Sequence, residues 1–515
     1  MITKVYSAAL RGVDAVEVEV EVSAYGSQDP KIIIVGLPDA AVRESSQRVT
    51  AALANSGLQW KTGVNTVNLA PADLRKEGPA FDLPIALAMG AAAQDGDRQM
   101  FELVEETMIL GELALDGAVR PLRGVLPIAL EAKRLGRRRL LVPAANAAEA
   151  AVIEGIEVYG ISSVRQAWDF LVGESPMMPF QLDRKAFFDS HRHYEIDFED
   201  VKGQHHVKRA LEVAVAGAHN LLMIGPPGTG KSMLAKRLPT IMPDMSEEEA
   251  IETTKIHSIA GLLSPKRAFL TIRPFRAPHH TISDVGLLGG GSNPSPGEVS
   301  MAHHGVLFLD ELPEFRRQTL EVLRQPLEDG YVTISRAAGT LTFPSRFMLV
   351  AAMNPCPCGY YGDAKRECRC SHRQIENYRQ RISGPLLDRI DLHVEVPLVD
   401  YRDLSSASGG EKSASIRERV ISARGRQRHR FAEHPDIAAN SAMSPRLVAA
   451  HCQLDAESSA MLEQAMGELS FSARAHNRIL KVARTLADLD DFPDIRVNHL
   501  MEAIQYRSLD RKLFA

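Results

Sequence analysis

The stretch Gly225-Pro226-Pro227-Gly228-Thr229-Gly230-Lys231-Ser232 defines the central chemistry of this chain. It fits the pattern G-x-x-x-x-G-K-[ST] of a phosphate-binding loop. Its three glycines let the backbone curl so that N–H groups face phosphate oxygens. Lys231 offers a positive charge to the β- and γ-phosphates, and the Ser232 hydroxyl is a ligand for Mg²⁺.

The residues on both sides of the loop suit this interpretation. Residues 220–224 are a short apolar run typical of a strand, and residues 233–238 have the pattern of a helix. A helix N-terminus after the loop favours an anion. The alternative, a glycine-rich turn that matches by accident, does not require a strand and a helix in these places. The sequence therefore predicts a nucleoside triphosphate site, with ATP and Mg²⁺ as the cofactors.

Composition limits the classes of protein to which the chain can belong. It has 515 residues, of which 45% are hydrophobic and 24% charged, as in ordinary globular proteins. The formal net charge of −5 excludes a globally basic protein, so any contact with nucleic acid must come from local patches. No start typical of a signal peptide and no apolar run of about 20 residues is found. We expect a cytoplasmic protein without a membrane partner.

A second motif gives the nucleotide site its chemistry. The apolar run 306–309 is followed by two carboxylates, Asp310 and Glu311, which is the Walker B pattern. A buried parallel strand needs such a run. Asp310 would hold Mg²⁺, and Glu311 would polarise the attacking water as a general base. After a phosphate-binding loop, this pair predicts hydrolysis as well as binding.

Asn354 follows another buried strand, predicted for residues 347–353. Ligands bind at the carboxyl edge of parallel sheets, so Asn354 is a candidate for the residue that places the lytic water, which is called sensor 1 in AAA+ ATPases. The alternative is a turn residue before Pro355.

Three arginines are candidates for contacts with the γ-phosphate. Residues 384–391 resemble the segment that supplies the arginine finger in AAA+ proteins, which implies that Arg389 reaches the nucleotide of a neighbouring subunit and that the protein forms a ring, usually a hexamer. The alternative is a surface salt bridge from Arg389 to Asp388 or Asp391. Arg474 is the sensor 2 candidate, with Arg478 as the second choice.

Two insertions indicate the type of motor. About seventy residues separate the first helix of the motor from the Walker B strand; they include residues 273–280 and the glycine-rich residues 286–293. Residues 330–343 are predicted to form a hairpin. Both features resemble the clade of magnesium-chelatase motor subunits and MCM helicases, in which such loops project into the pore of the ring. The basic residues of these regions could grip a phosphate backbone or simply form a solvated face: Lys266, Arg267, Arg273, Arg276 and Arg336.

The N-terminal region mixes strands and helices, and residues 75–84 and 111–124 resemble the Lon-protease-like domain. Active members use a Ser–Lys dyad. The matching positions hold Ala80 and, approximately, Leu126, so the resemblance implies a scaffold without peptidase activity. Lys76 and Glu77 are expected on a solvated loop.

Four of the five cysteines lie close together, as Cys356-Pro-Cys358 and Cys368-Arg-Cys370. Two thiolate pairs can close a tetrahedral zinc site, although this spacing is tighter than the usual one. The alternative is four reduced thiols without a metal. His372 is a spare ligand. Cys452 is expected in a packed core.

The predicted fold class is α/β, with a parallel sheet in the motor. The predicted domains are a Lon-protease-like α+β domain at 1–175, a linker at 176–195, an AAA+ domain at 196–398 with a zinc loop at 355–372, and a helical C-terminal lid at 399–515. The basic stretch 416–430 is either an exposed helix face or a contact for nucleic acid.

This domain order resembles the ComM/YifB family over essentially the whole chain. The resemblance implies a homo-hexameric, ATP-dependent DNA helicase that promotes branch migration in homologous recombination during natural transformation. Single-stranded and branched DNA and recombination proteins would then be its partners. Two other functions stay open: a magnesium-chelatase-like motor subunit, and an ATP-dependent protease or unfoldase.

Overall fold

The structure is a computed structural model. It describes residues 2–27, 31–93, 98–183, 194–264, 268–291, 294–336, 339–363, 366–399, 409–469 and 472–509. The described residues of Met1–His191, Glu247–Thr271 and Ser335–Phe343 form one compact unit, and those of Arg192–Ser246, Ile272–Ile334 and Pro344–Ala515 form a second. The predicted residues Lys266, Arg267 and Asn293, and half of the predicted linker (residues 184–193), lie outside the described ranges. The predicted domain boundaries stay a prediction.

A seven-stranded mixed sheet organises the first unit, in the order β3-β4-β2-β1-β5-β8-β9. Its long strands β1, β2 and β4 pair antiparallel, and the strands at both ends pair parallel. The strands of this unit are β1 (Ile2–Arg11), β2 (Asp14–Gly26), β3 (Lys31–Val35), β4 (Gly63–Ala70), β5 (Thr107–Ile109), the short pair β6 (Glu112–Leu113) and β7 (Val119–Arg120), β8 (Arg139–Pro143) and β9 (Glu157–Ile161).

Seven helices belong to the described part of the first unit. They are α1 (Ala40–Asn55), α2 (Asp82–Ala93), α3 (Arg98–Glu105), α4 (Val125–Arg134), α5 (Ala147–Ala150), α6 (Val164–Leu171) and α9 (Glu247–Ile259). Helix α2 is apolar on all sides and is almost wholly buried, as expected for a helix in the middle of a core. The N-terminus of α1 is capped by Asp39, whose carboxylate accepts from the Val42 N–H.

The prediction that Lys76 of the first unit lies on a solvated loop is wrong. The residue is fully buried instead of lying on a solvated loop. Its ammonium donates a hydrogen bond to the Pro71 carbonyl, and its backbone pairs with Leu37 and Asp39. Burial lowers the pKa of Lys76, because the charged form is poorly solvated there. Glu77 beside it is exposed, as predicted.

A five-stranded parallel sheet in the second unit has the order β11-β14-β17-β10-β18. Its strands are β10 (Leu221–Ile224), β11 (Phe275–Arg276), β14 (Val306–Leu309), β17 (Met348–Met353) and β18 (Leu392–Glu395). Strands β10, β14 and β17 are buried along their whole length, so the three apolar runs predicted from the sequence are the centre of the sheet. The carboxyl ends of these strands meet at one edge.

The predicted insertions also have regular structure. The short strands β12 (Gly289–Gly290) and β13 (Ser295–Pro296) pair before β14. Strands β15 (Tyr331–Arg336) and β16 (Gly339–Pro344) form a two-stranded sheet, so the predicted hairpin is confirmed.

Helices cover the parallel sheet and dominate the C-terminal region, as predicted. They are α7 (His205–Gly217), α8 (Lys231–Ile241), α10 (Asp284–Leu288), α11 (Glu298–Met301), α12 (Arg317–Glu321), α13 (Arg324–Asp329), α14 (His372–Arg379), α15 (Gly384–Leu387), α16 (Ser413–Arg430), α17 (Pro445–His451), α18 (Ala456–Leu469), α19 (Ala473–Leu489) and α20 (Val497–Gln505). One apolar cluster joins this sheet to α7, α8, α16 and α19, and Cys452 is part of it. Among the described helices, none is long and apolar enough to span a bilayer.

Candidate functional site

The phosphate-binding loop connects β10 to α8, as the sequence predicts. Gly225 lies against Val396, and a Cβ atom there would collide with the Val396 carbonyl, so the first loop position requires glycine. Gly228 and Gly230 have φ angles of 82° and 86°, which L side chains rarely adopt. Gly230 precedes α8 and offers no side-chain cap, so the first N–H groups of the helix remain available to an anion.

Lys231 lies under this loop and connects it to the neighbouring strand. Its Nζ donates to the Gly225 and Pro226 carbonyls at 2.7 and 2.9 Å and to Asn354 Oδ1 at 3.1 Å. Burial lowers the pKa of Lys231, and the charges of Asp310 and Glu311 oppose that shift. The ammonium therefore has acceptors around it and lies among the residues predicted for phosphate binding.

The proposed magnesium ligands also come together. Ser232 Oγ donates to Asp310 Oδ2 at 2.5 Å, which joins the start of α8 to the end of β14. A hydroxyl and a carboxylate are hard oxygen donors of the kind that Mg²⁺ prefers. The donor set and the open glycine loop fit a nucleoside triphosphate with its Mg²⁺. Thr229 closes the loop by donating from its hydroxyl to the Pro226 carbonyl at 3.0 Å.

Glu311 has an unusual backbone. Its φ of 53° is left-handed, which is uncommon for a residue other than glycine. Its N–H donates to Asp310 Oδ1 at 3.0 Å, and its carbonyl accepts from Glu314 at 2.8 Å. Such conformations cost about 1–3 kcal/mol and cluster at functional sites. The side chain of Glu311 is 55% exposed and can reach a solvent molecule.

The three candidate arginines make their contacts away from the phosphate-binding loop in the described chain. Arg389 is 11% exposed and pairs with Glu328 on α13, which is neither of the partners, Asp388 and Asp391, considered from the sequence. Arg474 at the start of α19 is 70% exposed and lies 3.4 Å from Asp388. Arg478 is more buried and donates to the Ile390 carbonyl at 3.2 Å.

The basic residues of the insertions divide into two groups. Arg273 donates to the carbonyls of Pro243, Asp244 and His304, and Arg276 makes a two-pronged ion pair with Glu298 at 2.6 and 2.7 Å. Both side chains therefore support the fold. Arg336 on the hairpin is exposed.

The basic helix α16 is also engaged internally. Most of its arginines pair with acidic residues of the second unit: Arg417 with Asp244, Arg419 with Glu212 and Glu411, Arg426 with Asp491, and Arg430 with Asp488. Most arginines of this basic stretch therefore form ion pairs that attach α16 to the rest of the second unit.

The four clustered cysteines form a compact group. Their ligand atoms all lie within 4.8 Å of one another, and three Sγ–Sγ distances are 3.3, 3.6 and 3.7 Å. A tetrahedral ion with Zn–S bonds of about 2.3 Å separates its sulfurs by about 3.8 Å. Burial raises the pKa of Cys358, but hydrogen bonds from the N–H groups of Tyr360 and Arg369 and from Cys356 and Cys370 together outweigh it and bring this pKa to about 6. The group fits a zinc ion. His372 is exposed and pairs with Glu376.

The cysteine loop also lies against the nucleotide site. It begins directly after Asn354, and a Cβ atom on Gly359 would come within 2.6 Å of Pro227 Cδ. Arg379 on α14 donates to the Pro355 carbonyl at 3.1 Å. This packing could not be predicted from the sequence, because nothing in the spacing of the cysteines shows what the loop contacts.

Three family models match this chain. A family model described as magnesium chelatase, subunit ChlI, matches residues 197–404, and a model of its C-terminal part matches 410–507. A further model, subunit ChlI of Mg-chelatase, matches residues 18–146. Competence protein ComM of Haemophilus influenzae is 42% identical over 99% of this chain and 98% of its own length. The chain belongs to the ComM/YifB family.

More relatives support this membership. YifB of Escherichia coli is also 42% identical, over 99% of this chain and 97% of that protein. The chloroplastic magnesium-chelatase subunit ChlI of Chlamydomonas reinhardtii is 22% identical over 69% of this chain and 72% of that protein. Membership of the ComM/YifB family and its magnesium-chelatase-like AAA+ class, both predicted from the sequence, are therefore confirmed.

Proposed function

We propose that this protein is an ATP hydrolase that works as a homo-hexameric DNA motor. In this proposal it promotes branch migration of single-stranded and branched DNA during natural transformation, together with recombination proteins. The observation that carries the ATPase part is the 2.5 Å contact between Ser232 and Asp310, because it places the two proposed Mg²⁺ ligands together beside Lys231. The DNA part is supported by the similarity to a protein named as a competence protein.

Each residue of the site has a role in this proposal. The loop N–H groups and Lys231 bind the phosphates, and Asn354, fixed by its contact with Lys231, orients the attacking water. Glu311 accepts the proton of that water. Mg²⁺, held by Ser232 and Asp310, supplies positive charge to the phosphate oxygens. Arg389 and Arg474 stabilise charge at the γ-phosphate, with Arg389 acting from a neighbouring subunit.

A structural zinc ion held by Cys356, Cys358, Cys368 and Cys370 completes the proposed set of cofactors. The compact sulfur group supports it. The ion would hold the loop that follows Asn354 and packs on Pro227, and so would keep two parts of the nucleotide site in place.

A metal-chelatase motor subunit is the second candidate function. The similarity to chloroplastic ChlI over 69% of the chain favours it. The N-terminal residues Ala80 and Leu126 speak against a protease, since neither side chain can act in a Ser–Lys dyad.

Glu311→Gln tests the proposed function directly. We expect this variant to bind ATP and DNA like the wild type but to lose ATP hydrolysis by at least about 100-fold, since the general base is removed. Strand displacement from a forked DNA should be lost with it. Glu314→Gln, in the same turn, is the matched control and should keep most of the activity. If DNA leaves the wild-type ATPase rate unchanged and no strand is displaced, the helicase proposal is wrong.

A further inference from the structure

A cavity of about 530 Å³ opens beside the turn that follows Glu311. One side of it is formed by residues 313–317, and the other side by Asn377, Gln380 and Arg381. Three of the lining residues are arginines and one is a glutamate, so positive charge exceeds negative charge by two. None of them belongs to the phosphate-binding loop or to the proposed Mg²⁺ ligands. The cavity is therefore a positively charged site separate from the nucleotide site.

Arg316 and Arg317 supply the charge that is not balanced inside the cavity. Both residues are exposed, and neither side chain forms a hydrogen bond or an ion pair with another residue that the structure describes. Arg317 is close enough to Glu321 on α12 for their charges to interact, but the two side chains do not pair. Two guanidinium groups are thus available to an anion that enters the cavity.

The third arginine, Arg381, is engaged only in part. Its NH1 group donates to Glu314 Oε2 at 2.9 Å and to the Pro313 carbonyl at 3.2 Å. Its other N–H groups have no hydrogen-bond partner within the described ranges, and 53% of the side chain is exposed. A guanidinium carries several N–H donors, so Arg381 can bind an oxyanion while it keeps its contact with Glu314. The Glu314 carboxylate itself would repel that anion.

The donors in this cavity suit a phosphate group. Guanidinium groups bind phosphate through paired hydrogen bonds, and the side-chain amides of Asn377 and Gln380 can donate to further phosphate oxygens. A nucleic-acid base, in contrast, finds no open ring on which to stack. The aromatic residue of the wall, Phe315, is only 3% exposed, and the His280 ring packs edge-on against it. The cavity would thus bind a phosphate without reading a base.

We propose that this cavity binds a phosphate group of the DNA strand on which the motor acts. That the phosphate belongs to DNA rests on the function proposed above. The phosphate site itself rests only on the cavity and on the three arginines that line it. A free phosphate compound offers the same chemistry as the DNA backbone, so both have to be measured.

Both ligands can be measured on the full chain with Lys231→Ala, which removes the phosphate contact of the nucleotide site. Titration calorimetry would use single-stranded oligothymidylate as one ligand and inorganic pyrophosphate as the other. The test variant, Arg316→Gln/Arg317→Gln, keeps polar side chains but removes both charges. Arg43→Gln/Arg446→Gln removes two charges at exposed positions outside the cavity and is the matched control. Equal melting temperatures check that all variants are folded.

Arg316→Gln/Arg317→Gln should weaken binding of oligothymidylate by about fivefold to twentyfold, the effect of two exposed charge contacts. The slope of log K against log salt concentration should fall by about 1.4, at about 0.7 for each phosphate contact with a single strand. Binding of oligodeoxyadenylate should weaken equally, because no base is read, and pyrophosphate should also bind more weakly. The control variant should bind both ligands as Lys231→Ala alone does.

Glu314→Gln should act in the opposite direction. It removes the negative charge from the cavity and frees Arg381 from its ion pair. We expect it to raise the affinity for both ligands by about twofold to fivefold. A merely structural role of the arginines would not produce opposite effects from Glu314→Gln and from the arginine variant.

Failure of this inference is distinct from failure of the DNA proposal. If the protein does not bind DNA but its binding of pyrophosphate depends on Arg316 and Arg317, the phosphate site stands and DNA is not its ligand. If the arginine variant binds both ligands like the control, the cavity is not a phosphate site and the inference is wrong. The same conclusion follows if the arginine variant changes only the oligomeric state in sedimentation, because the arginines would then face an acidic segment of another chain.

Discussion

Lys231 and Lys76 show how the same side chain serves two different purposes when it is buried. Burial lowers the pKa of both. Lys231 has three acceptors within 3.1 Å and two carboxylates nearby, so its charge is balanced and can be used on a phosphate. Lys76 is buried beside the Pro71 carbonyl, with Asp73 as the acidic group that raises its pKa. The charge of Lys76 therefore costs stability.

Lys76→Met tests this cost. Methionine fills a similar volume without a charge, and burying a charge costs free energy unless the charge is paired. We expect a gain of about 1 kcal/mol. For a unit of this size, the melting temperature would rise by about 2–4 °C in scanning calorimetry. Lys61→Met, at an exposed position of the same unit, should leave the melting temperature unchanged. A lower melting temperature for Lys76→Met would mean that the ammonium has a structural role.

At the scale of residues, these two lysines show that the sequence predicts a site built from local motifs but not a contact between distant segments. Lys231 was predictable, because its pattern, strand and helix are all local in the chain. Lys76 was not, because its backbone pairs with Leu37 and Asp39, which are distant in the sequence. For the same reason the partner of Arg389, Glu328, could not be seen in the spacing.

At the scale of elements, apolar strands with a strong pattern were predicted well, and strands with small polar residues were not. Strand β1 is the middle strand of the first sheet, yet its sequence does not predict a strand. Its inward-facing positions include Thr3 and Ser7, both fully buried, which hide the alternation of apolar and polar residues. The buried strands β10, β14 and β17 have no such interruption. The edge of the sheet that carries the site was therefore predictable from the sequence.

The sequence of the cysteine loop indicates the ligands of the proposed zinc ion, but it does not indicate the residues on which the loop packs. Because the loop follows Asn354 and packs on Pro227, we expect that its loss will affect catalysis more than nucleotide affinity.

Cys356→Ser/Cys368→Ser should bind no zinc, against one ion per chain in the wild type by elemental analysis. Its ATPase turnover should fall by about tenfold or more, with a smaller change in the Kd for ATP, since the position of Asn354 is no longer fixed. Cys452→Ala removes a buried cysteine far from the motif and should keep both zinc and activity. Wild-type turnover in the zinc-free double variant would show that the loop does not support the site.

At the scale of the whole molecule, the candidate arginines contact other residues than the phosphate-binding loop in the described part of a single chain. The phosphate-binding loop, Asp310, Glu311 and Asn354 lie together at one edge of the sheet. Arg389 instead contacts Glu328 and the Pro385 carbonyl, and Arg474 contacts Asp388. A ring solves this problem, because Arg389 of one subunit could then complete the site of the next. The proposed ring therefore predicts that ATP hydrolysis requires Arg389 from a second chain.

Mixing two inactive variants tests it. Arg389→Ala should bind ATP but hydrolyse it at least about 100-fold more slowly than the wild type, since an arginine finger is worth about 10³–10⁵ in rate. Lys231→Ala should fail to bind ATP, but it keeps Arg389. When the two are mixed, a site of Arg389→Ala can lie beside a subunit of Lys231→Ala, which supplies the missing arginine. The ATPase rate of the mixture should then exceed the sum of the separate rates, and it should depend on total protein concentration as a ring assembles.

Mixtures of Lys231→Ala with Glu311→Gln should stay inactive, because no subunit in them has both a bound nucleotide and its general base. If the first mixture is as inactive as the second, Arg389 acts within its own chain or not at all, and its contact with Glu328 is only part of the fold.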